Sequence, residues 1–251
     1  MKIFRVYPPS SPIGDPVDAG ESALEALLSP LYEPLGGTAV RINLIASVDG
    51  SGVGSDGTSD SLSSRTDRTL LRVIRSFADV VVVGAATVRR EGYRMPRSAR
   101  LAVVTASGSL EGHRVEPREG MPPLLVICPR SAVPVVQRSV GGGTAAEIIV
   151  LADERGRVSM TDVIAALAER SLHRVLCEGG PALAAQFLEA DLVDEICLTT
   201  APVVGGATRI FGDVTGQHRV SLTQLLVDDS GYQFARWSLR SPGAAGLVPT
   251  R

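Results

Sequence analysis

Short apolar runs alternate with amphipathic stretches along most of this chain. Runs at 40–46, 80–83, 101–105, 124–128, 148–151, 175–177 and 195–200 are rich in Val, Ile and Leu. Several of them, Val80-Val81-Val82-Val83 among them, carry no polar position. A strand that is apolar on both faces belongs in the middle of a sheet covered by helices on each side. Between these runs, apolar residues recur at helical spacing over 65–78, 160–171 and 182–190. The alternation predicts a three-layer α/β sandwich around a mostly parallel sheet. The runs 220–227 and 232–239 flank Asp228-Asp229-Ser230-Gly231 and predict a C-terminal antiparallel hairpin, which makes that sheet mixed.

The first 38 residues break the rhythm with Pro8, Pro9, Pro12, Pro16, Pro30 and Pro34, and only 21–28 has a helical pattern. They read as an irregular arm (1–38) laid over a domain at 39–240, with 241–251 as a flexible tail.

Composition narrows the function classes. A net charge of −2, with signs mixed along the chain, gives no field for holding nucleic acid or an anionic membrane. No segment approaches the roughly 20 apolar residues of a membrane span, and the N-terminal stretch breaks into Pro, Ser and Gly where a signal peptide needs an apolar core. A cytoplasmic protein is expected. Cys128, Cys177 and Cys197 are widely spaced and form no CxxC pair, so they read as buried free thiols. His113, His173 and His218 lack metal-ligand spacing, no Walker A sequence occurs, the classic GxGxxG fingerprint leading directly from a strand into a helix is absent, and no metal is expected.

Three strand ends carry candidate chemistry. At Leu176-Cys177-Glu178-Gly179-Gly180-Pro181-Ala182-Leu183 a buried strand runs into glycines, then a proline at a first helical position. Glycines let backbone N–H groups approach a ligand, and a helix N-terminus suits a pyrophosphate. The same residues also make a tight strand-to-helix turn that binds nothing. At Val83-Gly84-Ala85-Ala86-Thr87-Val88 the pattern repeats, with Thr87 as a phosphate ligand or merely a cap, and Arg89 and Arg90 as phosphate partners or a solvated face. Thr105 and Ser107 follow a third strand; taken alone they favour an ordinary loop over a ribose 2′-phosphate site.

Asp67 precedes Leu70, Leu71 and Ile74 at spacings that put its carboxylate on the helix's inward stripe. There it would pair with the amidine edge of a pterin or aminopyrimidine. With Ser64 as N-cap it equally occupies N3, where an acid steadies the first turn.

These pieces together resemble the reductase domain of riboflavin biosynthesis, in the dihydrofolate-reductase-like superfamily. The resemblance rests on Asn43-Leu44-Ile45-Ala46-Ser47-Val48-Asp49-Gly50, Ala78 to Arg89, Glu178-Gly179-Gly180-Pro181-Ala182-Leu183, Leu192-Val193-Asp194-Glu195, and Ala201-Pro202 followed by Gly205-Gly206. It implies NADPH contacts from Ala46, from Gly84, Thr87, Val88 and Glu91, from Thr105 or Ser107, and from the backbone of Gly179 to Leu183. It implies substrate contacts at Asn43, Asp49, Ser59, Arg75 and Glu178, with Glu178 orienting substrate beside the cofactor, and a homodimer. For Asp49, an Asx turn is the stronger reading of the residues themselves.

The chain departs from the family where Ser61-Leu62-Ser63 replaces Trp-Ile-Thr and where Glu91-Gly92-Tyr93 replaces Asp-Asp-Pro. It also places Asp67 where pyrimidine reductases carry a small residue and dihydrofolate reductases a carboxylate. The implied activity is therefore NADPH-dependent reduction of a 5-amino-6-ribosylamino-pyrimidinedione 5′-phosphate, with Arg75 on the phosphate. The alternative is a dihydrofolate or other pterin reductase with Asp67 on the pterin edge. A non-catalytic nucleotide-binding module is the third reading.

Overall fold

A computed structural model describes residues 2–7, 21–34, 37–116, 118–140, 145–154 and 156–239. Its parallel strands are β2 (Ala39–Ser47), β3 (Val80–Gly84), β4 (Arg100–Val104), β5 (Leu124–Pro129), β6 (Ala146–Leu151), β9 (Arg174–Cys177) and β10 (Glu195–Ala201). Antiparallel strands β11 (Ser221–Asp228) and β12 (Gln233–Ser238) form the expected hairpin, and β1 (Ile3–Tyr7) pairs along β11. The sheet runs β1-β11-β12-β10-β2-β9-β3-β4-β5-β6. A separate short pair, β7 (Asp153–Glu154) and β8 (Arg157–Val158), lies after β6. The mostly parallel mixed sheet of a three-layer α/β protein is therefore present as expected.

Strand periodicity divides the interior into two cores, because successive side chains point to opposite faces. Val81 and Val83 join the core under α1 (Glu21–Tyr32), α2 (Arg65–Ser76) and α4 (Val133–Ser139). Val80 and Val82 join the core under α5 (Met160–Ala168) and α6 (Pro181–Glu189). The single-turn helix α3 (Ala85–Arg90) links β3 to β4.

The N-terminal residues differ from the irregular stretch expected. Ile3 sits opposite Asp228 at the sheet edge, and the helix expected at 21–28 continues through Pro30 to Tyr32. Its inner face packs on α2, with Leu28 and Tyr32 fully buried. The helix end meets a buried charge cluster. Glu195 receives Arg41 at 2.8 Å and Arg236 at 2.5 Å, and the Arg236 guanidinium lies over the Tyr32 ring at 5.2 Å. Burial alone raises the Glu195 carboxyl, but Arg41 and Arg236 together hold it below the usual carboxylate range. The tail expected at 241–251 lies outside the described residues.

Candidate active site

The sheet order inserts β9 between β2 and β3. The chain leaves β2 for α2 on one face and leaves β9 for α6 on the other. Loops that part in this way open a crevice at the carboxyl ends of the strands. A cleft of about 640 Å³ lies there.

The two glycine junctions form its floor and face each other across adjacent strands. Gly84 N–H donates to the Gly179 carbonyl at 2.9 Å, and Gly180 N–H donates to Thr87 Oγ1 at 2.8 Å. Gly179 has φ +96°, and a Cβ there would lie 3.1 Å from Leu44 Cδ2. A Cβ on Gly180 would lie 2.7 Å from Thr87 Oγ1, so no side chain fits without displacing the neighbouring junction. Leu183 and Ala184 N–H groups turn to the Gly180 carbonyl, which leaves Ala182 N–H without an acceptor among the described residues. Pro181 opens α6 with Gly180 as N-cap and no side-chain cap.

Asp67 stands on the opposite wall. Ser64 caps α2 by accepting from Asp67 N–H at 3.1 Å, while Ser63 Oγ donates to the Asp67 carboxylate at 2.7 Å. Thus Asp67 occupies the N3 position and lines the cleft at once; the two readings of this residue coexist. Burial raises its pKa, opposed by hydrogen bonds from Ser63 and Thr199 and by the charge of Arg68.

Arg75 and Glu178 meet in a bidentate pair, Nε to Oε1 at 2.7 Å and Nη2 to Oε2 at 2.6 Å. The Tyr93 hydroxyl accepts from Arg75 Nη2 at 2.8 Å and donates to Glu178 Oε2, and Arg75 lies 5.4 Å from the Tyr93 ring centroid. Burial and the Glu178 charge push the Tyr93 phenol well above its ordinary pKa. Burial disfavours the charged Arg75, but the Glu178 carboxylate more than offsets it and keeps the guanidinium ionised. On the rim, Glu91 accepts from Ser59 N–H at 3.1 Å and from Ser59 Oγ at 2.9 Å, tying the 51–63 loop to the end of α3.

Asn43, Ser59, Asp67, Arg75, Gly84, Thr87, Glu91, Glu178, Gly180, Pro181, Ala182 and Leu183 line this cleft. Ala46, Asp49, Val88, Thr105, Ser107 and Gly179 do not. Ala46 and Val88 are buried in the packed interior. Asp49 accepts from Ser47 Oγ at 2.6 Å and from Gly205 N–H at 2.9 Å, which fastens a turn. Thr105 Oγ1 is buried and accepts from Gly108 N–H at 2.9 Å, and exposed Ser107 accepts from Ser109 N–H at 3.3 Å. Gly179 lies behind Gly180 against Leu44. Sequence reasoning gave no role to Tyr93, Ser63 or Arg114, all of which line the cleft. The only signal for Tyr93 was the local departure at Glu91-Gly92-Tyr93.

The three cysteines are free and buried, and burial pushes the Cys177 thiol up to about 12. Among the described residues no His, Cys, Asp and Glu side chains group as metal ligands, and no helix is long and apolar enough to cross a membrane.

Residues 38–234 match the RibD C-terminal domain family. The riboflavin biosynthesis protein RibD of Mycobacterium tuberculosis is 31% identical over 210 residues, which cover 81% of this chain and 56% of that protein. The chain thus spans about half the length of the curated relatives it matches. Among solved structures, a pyrimidine reductase-like protein from Corynebacterium diphtheriae superposes with a TM-score of 0.66 at 23% identity, covering 86% of this chain and 98% of that one. A deaminase/reductase, diaminohydroxyphosphoribosylaminopyrimidine deaminase/5-amino-6-(5-phosphoribosylamino)uracil reductase, from Thermotoga maritima superposes with a TM-score of 0.62 at 18% identity, covering 86% of this chain and 59% of that one. At these identities the superpositions establish the shared fold.

Proposed function

The chain belongs to the RibD C-terminal domain family, and from that premise we propose that it is an NADPH-dependent reductase of a riboflavin-pathway pyrimidine. The substrate is of the 5-amino-6-ribosylamino-pyrimidinedione 5′-phosphate type. One observation carries the reading: the glycine junctions after β3 and β9 are hydrogen-bonded neighbours at one mouth of the cleft.

The residues present fit a reduced dinucleotide. The glycine backbone at Gly179 and Gly180 is packed too closely to admit a side chain, and Ala182 N–H at the head of α6 is open to an anion. NADPH, when bound, supplies the hydride. Gly180, Pro181, Ala182 and Leu183 form its floor with Gly84 and Thr87. The Ser59–Glu91 tie holds the 51–63 loop at the rim. Asn43 and Asp67 face the second ligand from the opposite wall. The chain's contribution is to hold two bound molecules at reacting distance, with no protein nucleophile required. A cytoplasmic homodimer is part of the same reading, and sedimentation velocity tests the dimer.

Addition of the phosphorylated ribosylamino pyrimidine to protein and NADPH is expected to bleach the NADPH absorbance and yield the ribitylamino product. Calorimetry that finds no uptake of NADPH overturns the assignment.

A second reading, dihydrofolate or another pterin as substrate, is favoured by Asp67. A buried carboxyl with raised pKa on a cleft wall is placed to grip a guanidine-like edge and to carry a proton. Dihydrofolate turnover unaffected by Asp67→Asn removes the reason for it.

A further inference from the structure

We propose that α1 is a positioning brace for the cleft: seated on Arg236, it holds α2 in the place from which Asp67 and Arg75 face a ligand. The family match begins at residue 38, so it assigns no role to α1. The kinetic half of the inference rests on the reductase reading above; the packing half stands without it.

Two stripes of α2 face different surroundings. Asp67, Leu71 and Arg75, one turn apart, line the cleft, while Leu70, Val73 and Ile74 enter the core shared with Leu24, Leu28 and Tyr32 of α1. A helix moves as a unit, so whatever holds the apolar stripe also sets where Asp67 and Arg75 stand. The first turn is fastened separately, by the Ser64 cap and by Thr66, whose hydroxyl donates to Asp228 at 2.9 Å. Past that turn α1 packs along α2, with Leu28 and Tyr32 fully buried. Arg72 also donates to Glu25 at 3.0 Å, but both are half exposed, and such a pair adds little. The apolar contact carries the brace.

In turn, α1 depends on its seat. A helix of 12 residues is marginal on its own. Pro30 removes one backbone N–H from it, and no basic residue stands in the last turn to meet the carbonyls there. Arg236 of β12 supplies that cation from outside the helix. Glu195 fixes Arg236 through Nε at 3.1 Å and Nη2 at 2.5 Å. Its Nη1 then donates to the Leu31 carbonyl, and the guanidinium covers the Tyr32 ring at 5.2 Å. Arg41 binds the same carboxylate, so the post is held from both strands that flank β10. The end of α1 is thus pinned to the sheet, and its apolar face is pressed on α2.

Variants of the full chain test this: Leu28→Ala, Tyr32→Leu, Tyr32→Phe and, as a control for general loosening, Val163→Ala in the core on the other face of the sheet. Amide hydrogen exchange over α2 and α6 is followed by mass spectrometry. Leu28→Ala and Tyr32→Leu are expected to speed exchange in α2 by about tenfold or more relative to α6. Tyr32→Phe keeps the ring beneath Arg236 and stays within about twofold of wild type. With the pyrimidine 5′-phosphate and NADPH, Leu28→Ala and Tyr32→Leu raise KM for the pyrimidine by about fivefold or more, whereas NADPH affinity by calorimetry stays within about twofold. Leu28→Val replaces Leu28→Ala if the latter does not fold. Unchanged α2 exchange in both α1 variants, or an equal rise in Val163→Ala, overturns the brace. Faster α2 exchange with an unmoved pyrimidine KM also overturns it, because α1 then stabilises α2 without placing it. If wild type turns over neither the pyrimidine nor dihydrofolate, the reductase reading fails on its own, and the exchange comparison alone decides the brace.

Discussion

Replacing one member of the Arg75–Glu178 pair and then both gives the sharpest test of how the cleft wall is built. Their side chains are 23% and 6% exposed, so the pair is closer to a buried ion pair than to a surface one. Removing one partner of such a pair strands the other without compensation and costs about 3–5 kcal/mol. Residual exposure of Arg75 puts the expected cost of Glu178→Leu near ~3 kcal/mol, and Arg75→Met, which strands the less exposed carboxylate, costs at least as much. The double variant replaces charge with apolar volume and is expected within about 1 kcal/mol of wild type. Tyr93→Phe removes only the bridging hydroxyl, for about 1 kcal/mol. Urea titrations followed by circular dichroism, extrapolated to water, give all four values. Glu178→Leu and Arg75→Met both within ~1 kcal/mol of wild type would refute the reasoning. Arg75 would then be a solvent-screened cation, free to meet a ligand.

Other outcomes follow from the same structure. Asp67 is raised by burial, so the fold favours its protonated form; that contribution is complete below the ordinary carboxylate pKa and disappears as pH rises through the native value. Asp67→Asn is therefore expected to melt above wild type near neutral pH, the gap closing below about pH 4, in paired thermal scans. Glu195 is shifted the other way, so its stabilisation is present above the ordinary value and vanishes as pH falls through the depressed one. Glu195→Gln should cost about 3 kcal/mol at neutral pH by leaving Arg41 and Arg236 unpaired, and its acid unfolding should be shallower than wild type. Gly179→Ala forces a side chain into a left-handed backbone position against Leu44; a loss of about 1–3 kcal/mol and weaker NADPH uptake by calorimetry are expected.

What was legible in the sequence had local causes. Four consecutive valines with no polar face can only sit at a sheet's centre, and β3 lies there. Ser64 and Asp67 announce a helix start, and the cap forms as expected. The strand-glycine-helix junctions carry their own geometry, and neighbouring strands bring them together. What escaped depends on partners distant in sequence. Ile3–Tyr7 has no hairpin beside it, and becomes a strand only because β11 offers an edge. Thr105 and Asp49 have the right chemistry for ligands, but nearby backbone N–H groups claim their oxygens. The family resemblance turns Arg75 and Glu178 each toward substrate, and no local pattern reveals that they face each other across 103 positions.

The pairing of β1 with β11 also bears on how the chain reaches this structure. Ile3 must find Asp228, and Arg41 at the start of β2 must lie beside Glu195 of β10, so the sheet's middle and one margin wait for late-synthesised segments. Closing such long loops costs entropy before any contact rewards it, which slows assembly. On the ribosome, β3, β4 and β5, which are adjacent both in sequence and in the sheet, can associate early. β2 stays unpartnered until β9 at residues 174–177 emerges and keeps one open edge until 195–201, and the N-terminal strand waits for 221–228, a period in which exposed edges invite aggregation.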